Sequence, residues 1–93
     1  MARTYVFVVT NQWGPEGPYK FLITANNIRE ALKELGKRVK TKFGAWASFT
    51  PSDVEYLGRE GAIRRYEVGD LLIELIHTYQ GRPRQRKKGR KRK

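Results

Sequence analysis

The stretch Arg82-Pro83-Arg84-Gln85-Arg86-Lys87-Lys88-Gly89-Arg90-Lys91-Arg92-Lys93 carries nine Lys or Arg, no acid, and no apolar side chain other than a proline. Such a segment can bury nothing and cannot recover its own ordering entropy in water. Any core must therefore be built from residues 1–81, and the segment is expected to be disordered when free. The same boundary divides the charge. Of twenty Lys and Arg, nine lie in 82–93, which leaves eleven against all nine acids in 1–81. The net charge of +11 is thus concentrated in the extension, and a near-neutral body can fold without heavy self-repulsion while the extension acts at long range. The expected organisation is a single α+β domain over 1–81 followed by a basic extension over 82–93.

Ninety-three residues support one modest core and leave no room for a separate catalytic domain. With no cysteine and one histidine, disulfides and the usual N/S zinc sites are excluded. No apolar run approaches the roughly 18–20 residues of a membrane span, and Met1-Ala2-Arg3-Thr4-Tyr5 lacks the apolar block of a signal peptide. A cytoplasmic location and no membrane partner are expected. A lipid surface is a poor match for the basic segment, which has neither an acylation site nor an amphipathic anchor beside it.

Tyr5-Val6-Phe7-Val8-Val9-Thr10 is β-branched and aromatic throughout, and predicts a strand buried on at least one face. Asn11 to Pro18 holds two glycines and two prolines and breaks regular structure; Tyr19-Lys20-Phe21-Leu22-Ile23-Thr24 resumes it, so the two runs read as a hairpin with a long loop. Asn27 with Glu30 three residues on resembles a capping box. Ile28, Ala31, Leu32, Leu35 and Val39 then share one helical face, predicting a helix over 28–42. Gly36 interrupts it at a cost of about 1 kcal/mol relative to Ala unless a neighbour packs close there.

Further on, Thr50-Pro51-Ser52-Asp53 can open a short helical turn, or 54–57 can pair with 62–68 across Gly58-Arg59-Glu60-Gly61; the hairpin is favoured. Residues 71–79 fit two templates: a helical stripe of Val68, Leu72, Ile76 and Tyr79 with Asp70 as cap, or a fifth strand entered by a turn at Gly69-Asp70, which is preferred. The expected fold is a small antiparallel sheet of two hairpins with that possible fifth strand, packed on one main helix. Tyr5, Phe7, Phe21, Trp46 and Phe49 are the expected aromatic core.

Candidate contact residues follow from charge and exposure. Arg82, Arg84, Arg86, Lys87, Lys88, Arg90, Lys91, Arg92 and Lys93 are suited to neutralising phosphates, and if all met phosphates the slope of log affinity against log salt would be about −6 to −8. Such contacts supply affinity without sequence readout. The bland alternatives for this segment are a solubilising tail, a purification remnant or a targeting signal. Lys33, Lys37 and Lys40 line one flank of the helix, with Arg38 and Lys42 near its C-terminal end, though Glu30 and Glu34 can pair with some of them. Arg64 and Arg65 add charge on a strand. Trp13, in a Gly- and Pro-rich loop, is placed either to stack on an unpaired base or to fold back over its own hairpin.

The catalytic inventory is thin. His77 lies in an apolar segment with no matching nucleophile, so a structural role is expected; Asp53 with Glu55, and Asp70 with Glu74, read more simply as caps or solvated residues. No phosphate-binding Gly-rich loop, dinucleotide fingerprint or zinc pattern occurs. No cofactor, metal or small-molecule ligand is expected.

The strand, loop, strand and helix order of residues 5–35, with Ala25-Asn26-Asn27-Ile28-Arg29-Glu30-Ala31-Leu32 opening the helix, resembles the archaeal large-subunit ribosomal protein LX family. In that family an aromatic-rich hairpin feeds a helix through an Ala-x-Ser/Asn-x-x-acidic-Ala-Leu stretch. The resemblance covers about a third of the chain. It implies a small α+β domain bound to ribosomal RNA among neighbouring ribosomal proteins. The loop around Trp13 and everything from Ala45 onward depart from the pattern, so no contact residues carry over. The absence of cysteine, the single methionine and the many charges fit a thermophile. The expectation is a non-enzymatic RNA-binding component of the ribosome. A chromatin-like or viral DNA-binding protein is the alternative, and a small RNA-processing enzyme using His77 the third reading.

Overall fold

In the computed structural model, which describes residues 2–81, the first β-branched run forms β1 (Arg3–Asn11) and the second forms β2 (Tyr19–Ala25). Helix α1 (Ile28–Phe43) follows, then two short 3-10 turns at Ala45–Ala47 and Pro51–Asp53, then β3 (Glu55–Glu60), β4 (Ile63–Val68) and β5 (Leu71–Gln80). All strands pair antiparallel in the order β2-β1-β5-β4-β3, giving one open sheet, not closed into a barrel, with α1 packed on one face. The expectation for residues 82–93 falls outside the described residues.

Residues 71–79 adopt the strand alternative, and β5 joins the two hairpins by lying between β1 and β4. Alternation decides which side chains are buried: Tyr5, Phe7 and Val9 of β1, Ile23 of β2, Tyr66 of β4, and Leu71, Ile73 and Leu75 of β5 face the helix. They meet Ala31, Leu32, Leu35 and Val39, the apolar stripe read from the sequence, with Phe49 completing the cluster. The helix start is close to the predicted box. The Asn27 carboxamide oxygen accepts from the Glu30 amide at 2.9 Å, and the Glu30 carboxylate accepts from the amide of Asn26, one residue before the cap, at 3.3 Å.

Gly36 is explained by close packing. A Cβ at this position would collide with the main-chain carbonyl oxygen of Phe49, so the segment after the helix can lie directly on the helix backbone only because no side chain intervenes. Thr4 is the buried polar residue of β1. Its hydroxyl donates to the Gly81 carbonyl at 2.6 Å and lies 3.1 Å from the Thr24 hydroxyl, while the Gly81 amide donates to the Ala2 carbonyl. The end of β5 is therefore pinned to the start of β1.

Three expectations need correction. Trp46 is not core but 52% exposed: the short turn after Gly44 buries Ala47 instead, and the Trp46 indole lies over Phe43 and donates to its carbonyl at 3.2 Å. The β3–β4 turn is not Gly58-Arg59-Glu60-Gly61. Strand β3 continues through a bulge between Tyr56 and Gly58 and turns at Gly61-Ala62, where Gly61 supplies the positive φ of 63° that a two-residue hairpin turn needs. Thr50 to Asp53 did not compete with that hairpin, because it forms a separate capped turn ahead of it.

Replacing Gly36 with Ala separates local propensity from packing. Propensity alone would stabilise the helix by about 1 kcal/mol. The Phe49 carbonyl reverses the sign, and urea unfolding is expected to show a loss of about 1–3 kcal/mol.

Candidate nucleic-acid interface

On the helix side of the sheet, the β3–β4 hairpin extends beyond what α1 covers. Tyr56 lies opposite Tyr66 and Arg59 opposite Arg64, while Tyr66 and Arg64 pair in turn with Ile73 and Leu75 of β5. Both pairs therefore share the face that carries the core. Tyr66 is buried, at 8% exposure, and Tyr56 rests against it with ring centroids 5.3 Å apart and planes tilted by 50°, while Tyr56 as a whole is 54% exposed.

Arg59 and Arg64 form one side of an open groove of about 650 Å³ that reaches Arg3 and Gln80 on the adjoining strands and Asn27 at the start of α1. No Asp or Glu lines it. Gln80, which lines the groove, precedes Gly81, the last described residue.

Neighbouring arginines in β4 meet opposite environments. Arg65, on the face away from the helix, binds Glu60 at 2.8 Å and Glu74 at 3.4 Å. Arg64 has no such partner, and among the described residues no salt bridge reaches Arg3 or Arg59 either; the remaining ion pair is Arg38 with Glu34. Like charges directly opposite on paired strands are destabilising, so Arg59 opposite Arg64 is a local conflict that the fold leaves unneutralised. Of the two strand arginines singled out by sequence, Arg64 belongs to a cationic surface and Arg65 is occupied by carboxylates.

The helix flank is also cationic. Lys33, Lys37 and Lys40 are exposed and without ion pairs among the described residues, because Glu30 turns to the helix start and Glu34 to Arg38. Trp13 does not fold back over its hairpin: it is 79% exposed. Its loop is nonetheless built. Asn11 accepts from the Trp13 amide at 3.0 Å and donates to the Glu16 carboxylate at 2.7 Å, and the Gln12 amide donates to the Asp70 carbonyl at 2.8 Å. At the far end of α1, Tyr19, Phe43 and Trp46 form a partly exposed aromatic row with the Lys42 ammonium 4.5 Å from the Tyr19 ring centre.

Sequence reasoning missed Arg3, Arg59 and Tyr56. With the turn set at Gly58 to Gly61, Arg59 was a loop residue; moving the turn to Gly61-Ala62 puts it across from Arg64. Arg3 joins them only through the β1–β5 pairing, a non-local contact with no local signal.

His77 pairs with Val6 beside the irregularity in β5, is exposed, and is among the residues lining the arginine groove, its ring 5.7 Å from that of Tyr79. Among the described residues no group of three His, Asp or Glu side chains could hold a metal ion, and no helix is long and apolar enough to cross a membrane. No protein-family model, curated protein or solved structure matches the chain.

The two β4 arginines are expected to respond with opposite signs. Arg64→Gln relieves the cross-strand repulsion and raises stability by a few tenths to about 1 kcal/mol at low salt. Arg65→Gln strands Glu60 and Glu74 and lowers it by about 0.2–1 kcal/mol. Parallel urea unfolding curves, repeated in molar salt where both differences shrink, provide the check.

Proposed function

We propose that this chain is a non-enzymatic RNA-binding component of the ribosome, cytoplasmic and of archaeal type, whose body docks on folded RNA while residues 82–93 neutralise phosphates. The observation that carries this reading is the segregation of charge. Nine basic residues without an acid follow directly on Gly81. The groove that Gln80 lines holds Arg3, Arg59 and Arg64 and no acid, and the helix adds Lys33, Lys37 and Lys40. Acids elsewhere in the body neutralise Arg38 and Arg65, and among the described residues none pairs with the groove arginines or with Lys33, Lys37 and Lys40. The resemblance of residues 5–35 to the LX family, and the pairing of a small domain with a basic extension, point to the ribosome among RNA-protein assemblies. The partners on this reading are ribosomal RNA and neighbouring ribosomal proteins.

Phosphate contacts do not distinguish RNA from DNA, so selectivity has to come from the body. At matched salt, the full chain is expected to bind folded ribosomal RNA at least ten-fold more tightly than duplex DNA; equal affinity would support the DNA-binding alternative instead. The chain should also co-sediment with ribosomes in moderately high salt. Removing residues 82–93 should release it and flatten the salt dependence by about 6 to 8 in log-log slope. Retention after that truncation would move the binding energy to the body.

Trp13 supplies a further check, because it is exposed and its loop holds itself by main-chain and Asn11 hydrogen bonds. Trp13→Ala should leave the unfolding midpoint nearly unchanged while weakening binding to RNA with unpaired bases by about 1–3 kcal/mol. An unchanged affinity would remove this residue from the interface.

A further inference from the structure

We propose that the helix-side face of the β3–β4 hairpin seats one nucleotide of an unpaired RNA segment, its phosphate between Arg59 and Arg64 and its base on the exposed ring of Tyr56. The inference rests on the RNA-binding reading above and specifies the form of RNA that this part of the body takes.

Residues directly opposite on antiparallel strands hold their Cβ atoms about 5 Å apart, so two guanidinium forks start close enough to converge on one phosphate. Arg59 and Arg64 are opposite each other, share one face, and have no carboxylate partner among the described residues. The hairpin does contain acids. Glu60 lies on the other face, where it neutralises Arg65. The unneutralised pair therefore reflects the alternation of the strands and not a shortage of acids. A phosphate would remove the repulsion that the free protein carries.

The second observation is the neighbouring aromatic. Tyr56, Arg59, Arg64 and Tyr66 line an open cavity of about 320 Å³, and the same two arginines also line the larger groove. Tyr66 is buried and backs Tyr56, whose ring remains half open to solvent. A tyrosine supported from behind is a stacking platform with little rotamer freedom left to lose. An aromatic face one step from a phosphate seat suits a nucleotide whose base is unstacked. A duplex keeps its base faces covered and offers only phosphates.

The two contacts can be read separately, because one depends on salt and the other does not. With the full chain and a labelled single-stranded oligoribonucleotide, binding is measured across a salt series. The double variant Arg59→Gln with Arg64→Gln is expected to lower affinity and to reduce the log-log salt slope by about 0.7, the value of one phosphate contact on a single strand. Tyr56→Leu should weaken binding about ten-fold at every salt concentration and leave the slope unchanged, with Tyr56→Phe restoring it. On blunt duplex RNA, Tyr56→Leu should have no effect. Lys20→Gln removes a charge from β2, at the opposite edge of the sheet from the hairpin, and should change single-strand affinity less than two-fold. Circular dichroism and unfolding midpoints confirm that each variant is folded.

If wild type binds single-stranded RNA and neither the arginine pair nor Tyr56 alters it, the seat is overturned while the RNA-binding reading stands. The same holds if the lysine control loses as much as the arginine pair. If wild type binds no RNA in moderate salt, both fall together.

Discussion

A single α-helix with its side chains is about 10–12 Å across, whereas five strands at about 4.8 Å spacing make a sheet close to twice that width. One helix cannot cover such a sheet. Helix α1 lies over β2 and β1, and the 3-10 turns that follow it extend the cover only as far as the segment carrying Ala47 and Phe49 can reach. On the helix-side face of β3 and β4, Tyr56 and Arg59 are left to water and Arg64 is half covered, while Tyr66 and Val68 still pack on the core. Everything that distinguishes the candidate interface follows from that shortfall: Tyr66 is still close enough to the core to be buried, Tyr56 is half out of it, and Arg59 and Arg64 lie where a larger domain would place apolar residues.

Close approach makes the covered part stable enough to leave the rest open. The Phe49 carbonyl against the bare Cα of Gly36 lets the connecting segment sit on the helix backbone, so Phe49 fills the core that α1 alone could not close. At the other end of the molecule, the Thr4 hydroxyl holds Gly81, so the strand that precedes the basic residues is anchored to the chain's first strand. The groove thus has one wall in β1 and β5 and another in the β3–β4 hairpin.

The local features were legible in the sequence. The stripe from Ile28 to Val39, the Asn27 cap and the β-branched runs each act over a few residues, and each appears in the structure close to where its spacing puts it. Even the awkward Gly36 carried its own condition, a close neighbour, and the neighbour is present. Properties that depend on register were not legible. A turn displaced by two residues, together with a bulge after Tyr56, reassigns the facing of β3: Arg59 moves from the expected turn into the strand, and Tyr56, expected in the strand, is set opposite Tyr66, so that both belong to one surface. Trp46 was misread because an aromatic near other apolar residues suggests core, whereas a three-residue turn has room to bury only one side chain and buries Ala47.

The distribution of charge also bears on how affinity and selectivity can be divided within so small a chain. Exposed charges interact over about a Debye length, roughly 8 Å at physiological ionic strength, so nine basic residues attract any polyanion and differentiate poorly among them. Placing the arginine groove beside Gln80, just ahead of that segment in the chain, changes what the attraction can do. On the proposed RNA-binding reading, a strand held by the residues that follow Gly81 would bring its next nucleotides near Arg3, Arg59 and Arg64 at high effective concentration, so that a weak but shape-dependent contact there would modulate a strong but indiscriminate one. This arrangement requires the body to stay near neutral overall while keeping a few arginines unpaired, and the pairing of Arg65 beside an unpaired Arg64 satisfies that requirement within a single strand.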